Sequence, residues 1–359
     1  MVLRDNRFDN IKGIMIFLVV FCHSLEMLSS LVTTNMVVKT IYCIIYSFHM
    51  PVFIFISGYF SKPRSDETIE KVARKAIAGC LIPYVFFNLL YDIPYKSIAI
   101  ILDTLNPSWT LWFLLSLFFW KILVVPFSKV RISFFISVVF ALYVGTLCQV
   151  GPFLSISRTI CFFPFFLAGY LVSPDIIEKI RKYKIGGVLL FLVSIIVTVC
   201  LVKNGISHTT FFMYDSYQNV GQTVWQGIIY RLIVILLGFV GIIFFTSIIP
   251  QKKMFISKWG MYSISIYVFH SIIIRTMNSH GFLIENLLQT FLFAIIFATL
   301  ICLLFGNEKV YHIYKKFFDK VDKVLLIDDT NYLLLFNLLY YLNLLERSIY
   351  EKSNNIWYF

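Results

Sequence analysis

The sequence predicts an all-α polytopic membrane protein of about ten transmembrane helices, and three observations predict it. Of its 359 residues, 59% are hydrophobic and only 14% are charged, whereas a soluble domain keeps about a quarter of its residues charged. So few polar side chains cannot cover the apolar surface, so the surrounding solvent must largely be lipid. Apolar runs recur at lengths near the roughly 20 residues that cross a ~30 Å hydrocarbon core. Basic residues, finally, cluster in alternate connections rather than spreading along the chain.

Taken in order, the first span covers 11–29 and follows Arg4 and Arg7, with Lys12 at its mouth. It runs past Glu26 without the small-residue cleavage site of a signal peptide, so it is read as a retained helix. The second span, 40–60, leads into a connection carrying Lys62, Arg64, Lys71, Arg74 and Lys75. The third, 76–93, and the fourth, 107–126, precede Lys129 and Arg131. The fifth, 132–150, and the sixth, 154–173, lead to Lys179, Arg181, Lys182 and Lys184. After the seventh, 185–202, and the eighth, 226–249, come Lys252, Lys253 and Lys258. The ninth, 260–278, and the tenth, 283–305, precede Lys309, Lys315, Lys316, Lys320 and Lys323.

The opposite connections hold only Lys39, Lys96 and Lys203. Every basic cluster therefore falls on one side, which predicts a multi-pass plasma-membrane protein with both termini cytoplasmic. The same segregation accounts for the +12 net charge without a nucleic-acid partner. Residues 1–305 are expected to form the membrane domain, and 306–359 a basic, amphipathic cytoplasmic tail. Within that tail the apolar run 332–345 is interrupted by Asn337 and Asn343. It is short for a span and reads as an interfacial helix, with an eleventh span as the alternative. The seven cysteines stand singly, without metal-ligand or disulfide spacing, so no metal is expected.

An ionisable group inside a span costs several kcal/mol unless paired or hydrated, which makes it a candidate functional residue. Five positions qualify best: His23, Glu26, His49, Arg158 and His270, with Arg231 and Arg275 nearer span ends. Lys12 and His23 lie eleven residues apart, about 16 Å along one helix face. Glu26 follows His23 at i+3, a spacing that permits contact and would favour an imidazole acting as a base. Mutual neutralisation of the pair is the alternative. His49 precedes Pro51, which frees a backbone carbonyl at that depth, and His270 has Tyr267 one turn below. Arg158 keeps its charge and so needs an anion: Glu26, a lipid phosphate or a substrate. Trp109 and Trp112 read as an interface belt or, alternatively, as a platform for sugar stacking.

The stretch "RFDNIKGIMIFLVVFCH" resembles the opening of the integral-membrane acyltransferase-3 family, which includes fucose 4-O-acetylase-like polysaccharide O-acetyltransferases. That opening has an acidic residue, then a basic residue, then ten residues and a histidine, matched here by Asp9, Lys12 and His23. "FHMPVFIFISGYF", "LWFLLSLFF", "FFPFFLAGYLV" and "YSISIYVFHS" resemble later landmarks of the family in the same order. The resemblance covers about residues 5 to 305. It implies transfer of an acetyl group from cytoplasmic acetyl-CoA to a hydroxyl of an extracytoplasmic sugar or bacterial surface polysaccharide, as a lipid-linked unit or as finished polymer. The family's basic segment after the second span maps loosely onto Lys71, Arg74 and Lys75, which with Lys12 would bind the CoA phosphates.

On this reading His23 is the base, or is acylated first and relays the group, and Glu26 polarises it. Arg158 or His270 would stabilise the oxyanion. His49, Trp109 and Trp112 are assigned to the acceptor. A transporter or flippase of a lipid-linked glycan is the competing function, but the halves with corresponding broken helices that mark many transporters are not evident.

Overall fold

A computed structural model describes residues 5–62, 68–92, 105–148 and 153–326. The tail run 332–345 lies outside these residues. All regular structure among the described residues is helical, as expected where lipid cannot satisfy an open sheet edge.

Eight of the described helices are long and apolar enough to cross a membrane: Arg7–Met27 (α1), Met36–Tyr59 (α2), Ile69–Tyr91 (α3), Trp109–Phe127 (α4), Phe153–Leu171, Lys184–Lys203, Val224–Ile248 and Leu287–Phe305. The other two expected spans are shorter than sequence suggested. The fifth is Ser133–Thr146 (α5), which a 3₁₀ turn closes at Val144–Thr146. At 1.5 Å per residue it reaches about 21 Å. The ninth is divided: a five-residue turn, Ser257–Met261, stops at Tyr262, and a 17-residue helix, Ser263–Ser279, follows. That helix spans about 25 Å, slightly less than a hydrocarbon core. In chain order the remaining helices are α6 (Ile156–Leu171), α7 (Pro174–Lys182), α8 (Lys184–Lys203), α9 (Val224–Ile248), α10 (Ser257–Met261), α11 (Ser263–Ser279) and α12 (Leu287–Phe305). A last helix, α13, covers Glu308–Leu325.

The first helix is the axis of the unit formed by residues up to Ile313: α1 packs against α2, α10, α11 and α12. Around it, α2 packs against α6 and α9. Two glycines allow the α2–α6 contact. A Cβ on Gly58 would lie 2.0 Å from the Phe166 carbonyl oxygen, and one on Gly169 would lie 1.9 Å from that of Phe55. Small residues let membrane helices touch backbone to backbone, where dispersion drives association because lipid removes the hydrophobic incentive.

Arg7, counted at sequence level among the basic residues flanking the first span, is instead fully buried. Its Nη2 donates to Glu178 Oε1 at 2.8 Å and lies 3.1 Å from Asp5 Oδ2. It thereby ties the start of α1 to α7, the helix between the sixth and seventh expected spans.

Candidate active site

A cavity of about 760 Å³ opens along one face of α1, which contributes Ile16, Val19, His23 and Glu26. These positions recur at three- and four-residue spacing, as one helix face requires. The second helix supplies Tyr46, His49, Met50 and Phe53, and the entry to α4 supplies Trp109, Thr110, Trp112 and Phe113. Arg158 comes from α6, and Phe211 and Phe212 come from the connection between α8 and α9.

The histidine pair sets the chemistry. His23 Nδ1 lies 3.0 Å from His270 Nε2, and the rings are nearly parallel. His270 Nδ1 lies 3.1 Å from the Ile266 carbonyl, which can only accept, so Nδ1 carries hydrogen and neutral Nε2 carries the lone pair. His23 Nδ1–H therefore donates to His270 Nε2, leaving His23 Nε2 as a lone-pair nitrogen on a ring that lines the cavity. His49 repeats the device, with Nδ1 donating to the Ile45 carbonyl at 2.9 Å. In both helices an imidazole bonds back to the carbonyl four residues earlier, which fixes its tautomer.

Glu26 is not the partner of His23 that the i+3 spacing suggested. Its Oε2 accepts from Tyr42 at 2.9 Å and from Tyr46 at 3.3 Å. Helix packing brings α2 to that carboxylate, and two phenolic donors hold it there. The Arg158 guanidinium stacks on Trp112 at 4.9 Å and on Tyr214 at 4.5 Å. Among the described residues no carboxylate comes within ion-pair distance of it. The cation is thus held by ring faces and lines the cavity.

Trp109 and Trp112 both line the cavity, and Trp109 packs against the His23 ring with centroids 4.8 Å apart. The Trp109 backbone has φ +38°. That region costs a bulky residue about 1–3 kcal/mol and persists only where surrounding contacts impose it. One such contact is at the next residue, where the Tyr267 hydroxyl donates to the Thr110 carbonyl.

The cavity thus brings together His23, Glu26, His49, Arg158, Trp109 and Trp112, with His270 bonded to His23. The basic candidates stand apart. Lys12 lies one turn beyond Ile16 on the same helix face, while Lys71, Arg74 and Lys75 occupy the first turns of α3, where Lys71 and Lys75 are exposed. Sequence reading passed over Tyr42, Tyr46 and Tyr214. The first two were accessible to it, because 42, 46, 49 and 53 form a single stripe at helical spacing. Tyr214 was not, because its place depends on how a long connection folds back.

A family model described as an acyltransferase domain matches residues 5–307. The chain is 31% identical over 192 residues to Nodulation protein NolL of Sinorhizobium fredii (strain NBRC 101917 / NGR234), which is 49% of this chain and 50% of that protein. The chain thus spans about half the length of this curated relative. No solved structure matches it.

Proposed function

The chain belongs to the membrane acyltransferase-3 family, and from that premise we propose that it moves an acetyl group from cytoplasmic acetyl-CoA to a sugar hydroxyl on the extracytoplasmic side of a bacterial plasma membrane. The observation that carries this reading is the His23–His270 pair, which leaves a lone-pair nitrogen in a cavity also walled by the Arg158 cation.

In this mechanism His23 Nε2 takes the proton of the acceptor hydroxyl as its oxygen attacks the thioester carbonyl carbon. Negative charge collects on the carbonyl oxygen, where Arg158 is the nearby cation to receive it. The C–S bond then breaks, and the departing thiolate takes the proton back from the His23 imidazolium. The sugar ester and free CoA are the products. His270 serves as the acceptor that orients His23, and Glu26, held by two tyrosines, contributes charge opposite Arg158. Lys12 and the basic first turns of α3 supply the cations for the CoA phosphates. Trp109, Trp112 and His49 face the acceptor.

The test is transfer of labelled acetyl from acetyl-CoA to cell-surface glycan, comparing wild type with His23→Ala at matched membrane expression. Label is expected only with the wild type, and kcat should fall by at least about 100-fold in the variant. Full activity in His23→Ala would remove the base, and absence of label with both proteins would remove the acyl-transfer reading.

A further inference from the structure

The connection between α8 and α9 builds a second, smaller recess. It is lined by Thr209, Thr210, Tyr214, Asp215, Gln222 and Arg231 among others. The segment is anchored at many points. Tyr217 donates its N–H to the Gly145 carbonyl at 2.8 Å and its hydroxyl to the Leu142 carbonyl at 2.6 Å. Gln222 Nε2 donates to Thr210 Oγ1 at 2.9 Å. Arg231, buried in α9, donates to the Asp215 carbonyl at 2.8 Å and to the Ala141 carbonyl at 3.3 Å, and it stacks on Tyr217. Met213 adopts φ +50°, a left-handed conformation that surrounding contacts must hold. The next residue, Tyr214, then lies over Arg158, which is also a wall of the reaction cavity.

Asp215 stands out in this frame. Its half-buried carboxylate has Arg158 and Arg231 as charged neighbours. Among the described residues its carboxylate oxygens make no hydrogen bond or ion pair. A carboxylate offers about four acceptor positions, and the hydroxyl and amide groups around it add donors and acceptors. The two flanking guanidinium groups disfavour a cation there. The recess is much smaller than the reaction cavity. It therefore suits projecting hydroxyl groups better than a whole sugar ring.

We propose that this recess is a secondary acceptor subsite: it takes the hydroxyls of the sugar unit adjoining the one being acylated, with Asp215 accepting from a neighbouring pair of hydroxyls and Tyr214 separating the two units. The proposal rests on the acceptor being a glycan. It makes the connection between α8 and α9 the element that tells an oligosaccharide from a single sugar.

The experiment is a titration of the full-length, detergent-purified protein, without acyl donor, followed by intrinsic tryptophan fluorescence, with Trp112 beneath Arg158 as a natural reporter. The probes are methyl glycosides of glucose, galactose and fucose, and the disaccharides lactose, maltose and cellobiose. The wild type should bind at least one disaccharide about tenfold more tightly than the matching methyl glycoside, the value of one good hydrogen bond to a charged group. Asp215→Asn and Asp215→Ala should bring that ratio close to one while retaining methyl glycoside binding, which also shows that they fold. Asp215→Glu should keep part of the preference. A ratio unchanged in Asp215→Asn, or a wild type with no preference or no saccharide binding, overturns the subsite. Because no donor is present, saccharide discrimination without any acetyl transfer would leave the subsite standing and overturn the transfer reaction alone.

Discussion

The tautomer of His23 is set from behind the cavity, by a histidine on another helix that is itself set by its own backbone. Two predictions belong at this scale. His270→Ala removes the acceptor for His23 Nδ1–H and should lower kcat by on the order of 100-fold if His23 is the base. His270→Gln, whose amide oxygen can accept the same hydrogen, should recover a measurable part of that loss. Equal activity of the two variants would show that His270 matters for packing and not for orientation. Lys12→Ala should raise the donor KM about tenfold, the worth of one charge-assisted contact, with a smaller effect on kcat. An unchanged donor KM would remove Lys12 from the donor path. The identity of these residues was legible in the sequence because ionisable groups are costly in lipid and therefore conspicuous. Their pairing was not. His23 and Glu26 are neighbours in sequence, yet each finds its partner on a different helix.

Helices were the most legible elements, because a chain in lipid must satisfy every backbone group locally and needs about 20 apolar residues to do so. The exceptions have local causes. The ninth expected span breaks at Tyr262, and the fifth tightens into a 3₁₀ turn at Val144–Thr146, beside Gly145. At Gly145 a Cβ would lie 2.4 Å from Arg231 Nη1 and from the Tyr217 ring. Hydropathy averaged over a span-length window smooths over both, since each break changes the backbone at only a few residues. The third span contains a π-turn at Ile77–Leu81, which begins two residues after Lys75. Packing between elements gives a stability prediction. Gly58→Leu or Gly169→Val forces apart the α2 and α6 backbones and should cost about 1–3 kcal/mol or more. A lower unfolding temperature in detergent, with reduced accumulation, would register it. A variant as stable as wild type would mean that the two helices do not make this contact. Because α2 carries Tyr46 and His49 while α6 carries Arg158, the same variants should also impair transfer.

The N-terminal residues of α1 are tied to α7 through Arg7 and Glu178, and this contact carries a pH signature. The hydrogen bond from Arg7 holds the Glu178 carboxyl below its ordinary value of 4.5. A depressed folded-state pKa contributes stability that is present above the unfolded value and is lost as pH falls through the folded one. The Glu178 side chain is 51% exposed, so solvent screening keeps the contribution small. The unfolding-temperature difference between wild type and Glu178→Gln should be constant near neutrality and shrink as pH drops below 4.5. A difference that does not vary with acid would mean that the ion pair contributes nothing.

Composition and periodicity by themselves determined that this chain is a helical membrane protein, roughly where its helices lie, and which few residues are too polar to be there by accident. Those properties follow from one residue and its immediate neighbours meeting a solvent without hydrogen-bond partners. Tertiary structure alone decided that His23 meets His270, that two tyrosines claim Glu26, that ring faces hold Arg158, and that a connection between α8 and α9 closes over them. Each of these depends on contacts between residues far apart in the chain, and helical spacing specifies which face a side chain occupies but not which helix it will meet.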